Sequence, residues 1–270
     1  MDTKKYGPWA LVIGGSEGVG AAFARKLIAG GLKLVLIARK LAPLEAIAAE
    51  LRGSGGEVRV LSADLTQPDA LDKVRAVTDD IEIGLLIYNA GANNTRGRFV
   101  ELPKEVTQSV IAINVLGQVD FTRHYCALMC KRGRGGIILA GSLSGYMGSP
   151  TLAAYTASKA FSRIFTEALW AECKTSGVDV LHLNIGFTAT PAMARLGIDI
   201  SVAEAPEKVA QEGLDNIANG PLWIVSTKGN IERARKLSVV DGRADLVRSF
   251  AIPPRDQMAE LQRRQLQSPD

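Results

Sequence analysis

The chain has 270 residues, of which 47% are hydrophobic and 22% charged, and its formal net charge is +4 at pH 7. These values are ordinary for a globular protein and exclude a disordered chain or a fibrous repeat. No apolar run approaches the roughly 18 residues of a membrane span, so none is expected. Nine basic and six acidic residues after position 227 hold most of the charge. The nearly neutral remainder argues against a nucleic-acid-binding protein.

The three cysteines, Cys126, Cys130 and Cys173, cannot all pair, and they form no Cys-x-x-Cys motif. The apolar stretch near the N-terminus breaks at Gly14, which leaves it too short for the core of a signal peptide. These two features predict a reducing, cytoplasmic compartment. Cys126 and Cys130 would share one helix face, but no third or fourth ligand stands near them in the sequence. Packing in a core is therefore favoured over a metal site.

Short apolar runs alternate along the chain with segments of helical period. The predicted strands are Trp9–Ile13, Leu34–Ala38, Val58–Ser62, Ile83–Asn89, Gly136–Gly141, Val178–Asn184 and Pro221–Ser226. The predicted helices between them are Gly18–Ala29, Pro43–Leu51, Pro68–Asp80, Pro103–Lys131, Leu152–Ser176 and Pro206–Asn219. Apolar strands separated by helices predict an α/β fold, with a doubly wound, Rossmann-like parallel sheet covered on both faces.

No Pro/Ser-rich linker, change of composition or internal repeat divides this series of elements. We therefore expect a single domain. In it, residues 1–226 form the doubly wound unit with its binding and catalytic sites, and residues 227–270 form a C-terminal helical extension of the same domain.

A glycine-rich loop, Gly14-Gly15-Ser16-Glu17-Gly18-Val19-Gly20, joins the first predicted strand to the first helix. Such glycines let a backbone turn tightly and approach a pyrophosphate at the helix N-terminus. Their spacing differs from the common Gly-x-Gly-x-x-Gly fingerprint, and a tight turn without a ligand is the alternative. The position directly after the first strand favours a dinucleotide. The loop positions predicted to bind it are Gly14, Ser16, Gly18, Val19 and Gly20.

Arg39 and Lys40 follow the second strand, where the adenosine ribose of a dinucleotide should lie. An acidic residue there would hold the 2′-hydroxyl, whereas Arg39 can pair with a 2′-phosphate in a planar, charge-assisted contact. These residues predict NADP(H) rather than NAD(H), the alternative being a solvated basic pair. Glu17 would repel the phosphate unless Arg39 or Lys40 neutralises it.

Tyr155 and Lys159 are four residues apart, which places a phenol and an ammonium group on one helix face. A nearby cation favours the phenolate and lowers the pKa of a tyrosine. Ser142 ends a strand, where open parallel sheets hold their ligand crevice, and could donate to a substrate oxygen. Asn114 is polar within an apolar helix. The alternative interpretations are a solvated pair for Tyr155 and Lys159, a turn-capping role for Ser142 and a hydrogen-bonded buried amide for Asn114.

The glycine loop, Asp64, Asn89-Ala90-Gly91, Asn114, Ser142, Tyr155 and Lys159 stand in the order typical of short-chain dehydrogenases/reductases. Over roughly residues 9–220 the chain resembles that family, and most of all its branch acting on 3-oxoacyl thioesters and steroid ketones. The resemblance implies that Tyr155 transfers the proton, Ser142 polarises the carbonyl and Asn114 anchors a relay water. It also implies that Lys159 lowers the pKa of Tyr155 and holds the nicotinamide ribose. The further positions implied for cofactor binding are Asp64, Leu65, Asn89, Ala90, Gly91, Tyr155, Lys159, Gly186, Thr188 and Thr190.

Three positions depart from the family pattern: Ile13 replaces a threonine, Glu17 a residue often basic in NADP-preferring members, and Ile185 a proline. None of the three removes a group that performs chemistry. We expect a reversible NADP(H)-dependent oxidoreductase acting on a lipophilic ketone or secondary alcohol, assembled as a homodimer or homotetramer. Residues 189–205 are expected to form part of a mobile lid.

Two other functions remain open at this stage. One is a catalytically idle NADP-binding module used for regulation or assembly, against which the intact Ser142, Tyr155 and Lys159 argue. The other is a sugar-nucleotide epimerase or dehydratase, which can share the tyrosine–lysine pair. Such enzymes resemble longer chains with a separate substrate domain, and this chain has no room for one.

Overall fold

The computed structural model describes residues 2–91, 96–195, 199–225 and 229–250. Within these ranges, seven parallel strands form one sheet in the order β3-β2-β1-β4-β5-β6-β7. The strands are β1 Trp9–Ile13, β2 Lys33–Ala38, β3 Val58–Ser62, β4 Ile83–Tyr88, β5 Gly135–Ser142, β6 Val178–Ile185 and β7 Leu222–Ile224. The order reverses between β1 and β4, and open sheets of this kind bind ligands at that point, beyond the carboxyl ends of the strands. The predicted single-domain, doubly wound α/β fold is confirmed.

Helices cover both faces of the sheet. They are α1 Thr3–Tyr6, α2 Gly18–Ala29, α3 Leu41–Gly53, α4 Ala70–Arg75, α5 Lys104–Ile111, α6 Gln118–Arg132, α7 Ala153–Cys173, α8 Pro191–Arg195, α9 Pro206–Asp215, α10 Asn230–Leu237 and α11 Arg243–Arg248. None of the helices in the described ranges is both long enough and apolar enough to cross a membrane.

Two hydrophobic clusters, one on each face, hold the sheet between its helices. Along β2, Leu34 and Leu36 belong to the first cluster, whereas Val35 and Ile37 belong to the second. This division follows from the alternation of side chains along a strand. Because both faces are covered, the central strands are apolar at every position, which is the pattern that made them recognisable in the sequence.

The helix predicted over Pro103–Lys131 is interrupted. A π-helix, Ala112–Gly117, joins α5 to α6, and the hydroxyl of Tyr88 donates to the carbonyl oxygen of Ile113 at 2.7 Å within it. A Cβ on Gly117 would lie 2.6 Å from that hydroxyl, so a glycine is needed there. Single π-turns inside α-helices commonly mark functional positions, and this one contains Asn114.

Other element boundaries also differ from the prediction. The fourth helix is shorter, Ala70–Arg75 instead of Pro68–Asp80, and the helix Thr3–Tyr6 was not expected. The last predicted strand is reduced to Leu222–Ile224, and Ser226 lies outside the described residues.

The segment after β7 contains α10 and α11. An Nη of Arg243 donates to the carbonyl oxygen of Tyr146 at 2.8 Å, which links this segment to the turn after β5. Ala234 and Leu237 of α10 are buried. The predicted division at residue 226 stays a prediction, since residues 251–270 lie outside the described part.

Candidate active site

The loop after β1 is built on close backbone contacts. Gly14 has a φ of +85°, and a Cβ there would lie 2.8 Å from the backbone nitrogen of Ala90. A Cβ on Gly20 would lie only 1.9 Å from the carbonyl oxygen of Gly14. Both positions therefore require glycine. Val19 is buried in the first hydrophobic cluster, and Ser16 is half-buried in the turn.

Backbone hydrogen bonds hold this glycine loop against the ends of three strands. The backbone N–H of Gly14 donates to the carbonyl oxygen of Ile37 at 2.7 Å, and those of Asn89 and Ala90 donate to Ile13 at 2.9 Å each. The side-chain amide of Asn89 donates to the carbonyl oxygen of Gly14 at 3.1 Å. This brace makes no use of a hydroxyl at position 13, so Ile13 does not loosen the loop.

Glu17 precedes α2, and its side chain makes no capping hydrogen bond with that helix. Its carboxylate instead accepts from both Nη atoms of Arg195 in α8, at 2.9 and 2.5 Å. Arg39 and Lys40 are the residues predicted from the sequence to neutralise Glu17. In the structure Arg195, 178 residues away in the chain, forms this ion pair.

The end of β2 carries the residues predicted to meet the adenosine. Arg39 is exposed and Lys40 is half-buried. Asp64, after β3, accepts from the backbone N–H and the hydroxyl of Thr66 at 2.9 and 2.8 Å. Burial raises the pKa of Asp64, but these hydrogen bonds and the charge of Arg39 outweigh it, so the pKa is lowered overall. Leu65 packs against the second hydrophobic cluster.

The predicted catalytic residues meet at the end of β5. Tyr155 and Lys159 lie one turn apart in α7, with the Lys159 Nζ 5.8 Å from the centre of the Tyr155 ring. That Nζ donates to the carbonyl oxygen of Ala140 at 3.1 Å. The side chain of Ser142 is hydrogen-bonded to Tyr155 and also accepts from the backbone N–H of Ser144 at 3.1 Å.

Burial dominates the acid–base properties of this cluster. It raises the pKa of Tyr155, while the hydrogen bond with Ser142 and the charge of Arg96 lower it by less. Burial also lowers the pKa of Lys159 to about 8. The groups that lower the pKa of Tyr155 here are Ser142 and Arg96. The effect of Lys159 on that pKa, which the family resemblance implies, stays a prediction. Lys159 itself is an amine that can gain or lose a proton near neutral pH.

Asn114 is buried within the π-helix. Its amide nitrogen donates to the carbonyl oxygen of Val110 at 2.9 Å. Its Oδ1 is buried without a hydrogen-bond partner in the described part of the chain, and a Cβ on Gly91 would lie 2.2 Å from it. The free acceptor therefore faces the end of β4. A buried acceptor of this kind is commonly satisfied by an ordered water.

The residues after β6 cover the glycine loop. A Cβ on Gly186 would lie 2.8 Å from the side chain of Asn230, and the hydroxyl of Thr188 donates to the carbonyl oxygen of Gly186 at 3.3 Å. The Thr190 hydroxyl accepts from the first turn of α8, and its methyl group lies 3.1 Å from where a Cβ of Gly18 would be. Of the predicted lid over residues 189–205, positions 196–198 lie outside the described part.

Three residues near the site were missed by the sequence analysis: Arg195, Arg96 and Asn230. Each acts across a long chain separation, on Glu17, Tyr155 and Gly186 respectively. No local motif surrounds any of them, so only the folded chain connects them with the site.

The sheet order, the glycine loop and the cluster of Ser142, Tyr155 and Lys159 define a class of dinucleotide-dependent oxidoreductases. Residues 8–200 match the model of the short chain dehydrogenase family. The chain belongs to this short-chain dehydrogenase/reductase family, as predicted from its sequence.

Individual relatives are similar over most of the chain. A 7beta-hydroxysteroid dehydrogenase of Collinsella aerofaciens is 36% identical over 191 residues, which is 70% of this chain and 72% of that protein. A very-long-chain 3-oxoacyl-CoA reductase of Pyricularia oryzae is 33% identical over 218 residues, or 79% and 66% of the two proteins.

Solved structures agree with this assignment. One from a study of 7beta-hydroxysteroid dehydrogenase stereoselectivity has a TM-score of 0.85 at 30% identity and covers 92% of this chain and 98% of its own. The short-chain dehydrogenase from Sphingobium yanoikuyae in complex with NADPH has a TM-score of 0.75 at 28% identity, covering 92% and 99%.

Proposed function

We propose that the protein is an NADP(H)-dependent enzyme that interconverts a lipophilic ketone and its secondary alcohol. The observation that carries this proposal is the hydrogen-bonded pair of Ser142 and Tyr155 at the end of β5, with Lys159 one turn further along α7. A phenol, a hydroxyl and a titratable amine at one strand end can bind a substrate oxygen and move a proton to or from it.

When bound, NADP(H) supplies or accepts the hydride at its nicotinamide ring. In the reducing direction the Tyr155 hydroxyl donates its proton to the carbonyl oxygen, while Ser142 donates a hydrogen bond to the same oxygen. In the oxidising direction Tyr155 accepts the proton of the alcohol. The raised pKa of Tyr155 keeps the phenol protonated at neutral pH, which suits the reducing direction.

Lys159 and Asn114 complete the proton path in this proposal. With a pKa of about 8, the Lys159 amine can return a proton toward Tyr155 near neutral pH. The unpartnered Oδ1 of Asn114 is an acceptor for a water that connects the cluster to solvent. Both residues thus restore the proton that Tyr155 gives up.

The residues around the glycine loop fit a dinucleotide phosphate. Gly14 and Gly20 let the loop pack more closely against backbone than any Cβ would allow, and no side chain caps the first turn of α2, where a pyrophosphate would lie. Arg39 and Lys40 would hold a 2′-phosphate. Arg195 neutralises Glu17, so the charge of this carboxylate is not left to repel the phosphate. A relative solved with NADPH supports the same preference.

The remaining cofactor contacts are proposed from position. They are Ser16, Gly18, Val19, Asp64, Leu65, Asn89, Ala90, Gly91, Tyr155, Lys159, Gly186, Thr188 and Thr190.

The surroundings of Tyr155 support a lipophilic substrate. A small pocket beside it is walled by Phe99, Leu102, Val106 and Val110. Beyond the turn after Ser142, a more open and mainly apolar cleft of about 420 Å³ extends along α10. Relatives named for hydroxysteroids and very-long-chain 3-oxoacyl-CoA have substrates of the same character. Apolar walls with a few polar groups at the reacting atom are typical of such sites.

Replacing Tyr155 by phenylalanine tests the chemistry. We expect Tyr155→Phe to bind NADPH as the native enzyme does and to lose about 10²–10⁴-fold in turnover, because the proton donor is gone. NADPH oxidation with a panel of bulky ketones and fluorescence titration of NADPH measure the two quantities. The matched control is Tyr125→Phe, since Tyr125 is buried in the second hydrophobic cluster, lines neither pocket, and has its hydroxyl hydrogen-bonded to that of Thr78 at 2.7 Å.

Unchanged turnover of Tyr155→Phe would remove the assigned role. A native enzyme that binds NADPH but reduces no ketone of the panel would favour the catalytically idle module instead.

The cofactor preference has its own test. Arg39→Ala should weaken NADPH binding about tenfold or more and leave NADH binding nearly unchanged, because only the 2′-phosphate loses its partner. The dissociation constants of the native protein and of Arg123→Ala, an exposed arginine in α6, serve as references. Equal losses for both cofactors would contradict the preference.

We also propose a homodimer or homotetramer assembled through the outer faces of the π-helix, α6 and α7. Large apolar side chains are exposed there, among them Leu116 at 58% and Ile164 at 55%. Covering such side chains is a common reason for association. Sedimentation showing only monomer would contradict this. The three free cysteines support the proposed cytoplasmic location.

A further inference from the structure

All three cysteines of the chain meet at the end of α7 remote from Tyr155. Cys126 and Cys130 lie one turn apart in α6, and Cys173 is the last residue of α7. The Sγ atom of Cys126 is 3.8 Å from that of Cys130 and 3.2 Å from that of Cys173, and all three lie within 4.8 Å of one another. The sequence analysis set a metal site aside for want of a third ligand, and Cys173 is that ligand.

This thiol cluster is separate from the active site. Tyr155 and Cys173 are 18 residues apart in α7, which corresponds to about 27 Å along a helix. Cys126 and Cys173 are buried at 7% and 3% exposure, whereas Cys130 is partly exposed and gives solvent a way in.

The spacing of the sulfurs suits one thiophilic ion. Two thiolates bound to a tetrahedral zinc at about 2.3 Å lie about 3.8 Å apart. Cys126 and Cys130 already have this separation. Cys173 would have to move away from Cys126 by about 0.6 Å and toward Cys130, from which it lies at most 4.8 Å, by up to about 1 Å. Thiolates select Zn²⁺, Cd²⁺ or Cu⁺ over hard cations such as Mg²⁺ and Ca²⁺.

We propose that Cys126, Cys130 and Cys173 bind one thiophilic d¹⁰ cation, Zn²⁺ or Cu⁺, with a water as the further ligand of Zn²⁺. The bound ion ties α6 to the end of α7. It takes no part in the reaction at Tyr155, so the proposal is independent of the proposed function.

Cd²⁺ serves as the spectroscopic probe. The full-length protein, reduced with a phosphine and freed of metal, should develop sulfur-to-cadmium charge-transfer absorption that saturates at one equivalent. Since the chain has three cysteines and all lie in the cluster, every thiolate signal reports on this site. Zn²⁺ and Cu⁺ are then added separately as competitors to distinguish the two ions, and the stronger one should also raise the Tm.

Cys130→Ser is the variant of choice because Cys130 is the partly exposed member of the cluster. It should weaken Cd²⁺ binding about 100-fold or more, since one of three sulfur ligands is lost. His124→Gln is the control, because that imidazole in the same helix lies 3.6 Å from Asp79 and outside the cluster. The control should bind Cd²⁺ as the native protein does.

Three results would overturn the proposal. They are no charge-transfer band in the reduced native protein, a band that Cys130→Ser leaves unchanged, and a disulfide between Cys126 and Cys173 with no metal uptake after reduction.

Discussion

The carboxyl edge of the sheet has two halves that are built differently. Over β1, β2 and β4 the site is made of backbone, with glycines at contacts of 1.9 and 2.8 Å that no Cβ could enter. Over β5 and α7 it is made of side chains, and burial shifts the pKa values of Tyr155 and Lys159. The first half depends on shape and the second on electrostatics. Substitutions in the two halves should therefore affect stability and turnover in different ways.

The largest effect is expected for Lys159→Met. Turnover should fall about 10²–10⁴-fold, because the amine that exchanges protons near Tyr155 is lost. The same variant should be more stable than the native protein at pH 7, by about 1 kcal/mol. Burial costs the charged amine about 3 kcal/mol, from a pKa of about 8 against an ordinary 10.5, and loss of the charged hydrogen bond to Ala140 offsets about 2 kcal/mol.

The stability advantage of Lys159→Met should depend on pH, because the protonation of Lys159 differs between the folded and the unfolded chain. Below pH 8, Lys159 is protonated in both the folded and the unfolded chain, so the full cost of burial is present. Between pH 8 and 10.5 only the unfolded chain holds the proton, so the native protein gains stability as the pH rises. Urea unfolding without cofactor at pH 7 and pH 10 should show the advantage of Lys159→Met shrinking. A variant less stable at both pH values would contradict the electrostatic account.

Gly20→Ala should lower both the stability and the cofactor affinity, whereas Lys159→Met should lower the turnover and raise the stability. Its new Cβ would lie 1.9 Å from the carbonyl oxygen of Gly14, so the loop must shift. We expect a loss of about 1–3 kcal/mol in the free energy of unfolding and about tenfold or more in NADPH affinity. Thermal unfolding and NADPH titration measure both.

Gly53→Ala at the end of α3 is the matched control, because a Cβ there has open space around it. It should leave NADPH binding unchanged and keep or slightly raise the stability, by up to about 1 kcal/mol. If Gly20→Ala behaved like Gly53→Ala, the account of the first half as a shape-determined cradle would be wrong.

The smallest effect is expected for Arg195→Ala, at the contact between the glycine loop and α8. The lost ion pair with Glu17 is partly exposed, so stability should fall by no more than about 1 kcal/mol. NADPH should bind a few-fold more weakly, because the unpaired carboxylate of Glu17 now lies beside the phosphates. Adding Glu17→Gln should restore the affinity, which isothermal titration can measure. Tighter binding by the single variant would show that Arg195 hinders the cofactor.

The sequence predicted the sheet well because most positions of the parallel strands are apolar and the strands are bounded by glycine or polar residues. Val58–Ser62 and Trp9–Ile13 match their predicted bounds, and the candidate catalytic residues could be named from motifs that are local in sequence. The π-helix within Pro103–Lys131 could not be predicted. It depends on the hydrogen bond from Tyr88, which reaches the helix from a strand.

The sequence did not predict the contacts between distant parts of the chain. Arg195 meets Glu17 across 178 residues, and Cys173 meets Cys126 across 47. Periodicity and motif spacing describe neighbours in sequence, so they carry no information on such pairs. The sequence therefore predicted the candidate catalytic groups but not the groups that control their charge.

The π-helix has a consequence beyond Asn114. An α-helix turns by about 100° per residue, so the one wide turn at Ala112–Gly117 sets the rotational phase of everything that follows in α6. That phase directs Phe121 and Tyr125 onto the sheet and Cys126 onto Cys173. If the segment were rewound as a regular α-helix, Asn114 would turn away from Gly91 and the sulfur atoms would separate. A single backbone irregularity thus aligns two distant sites at once.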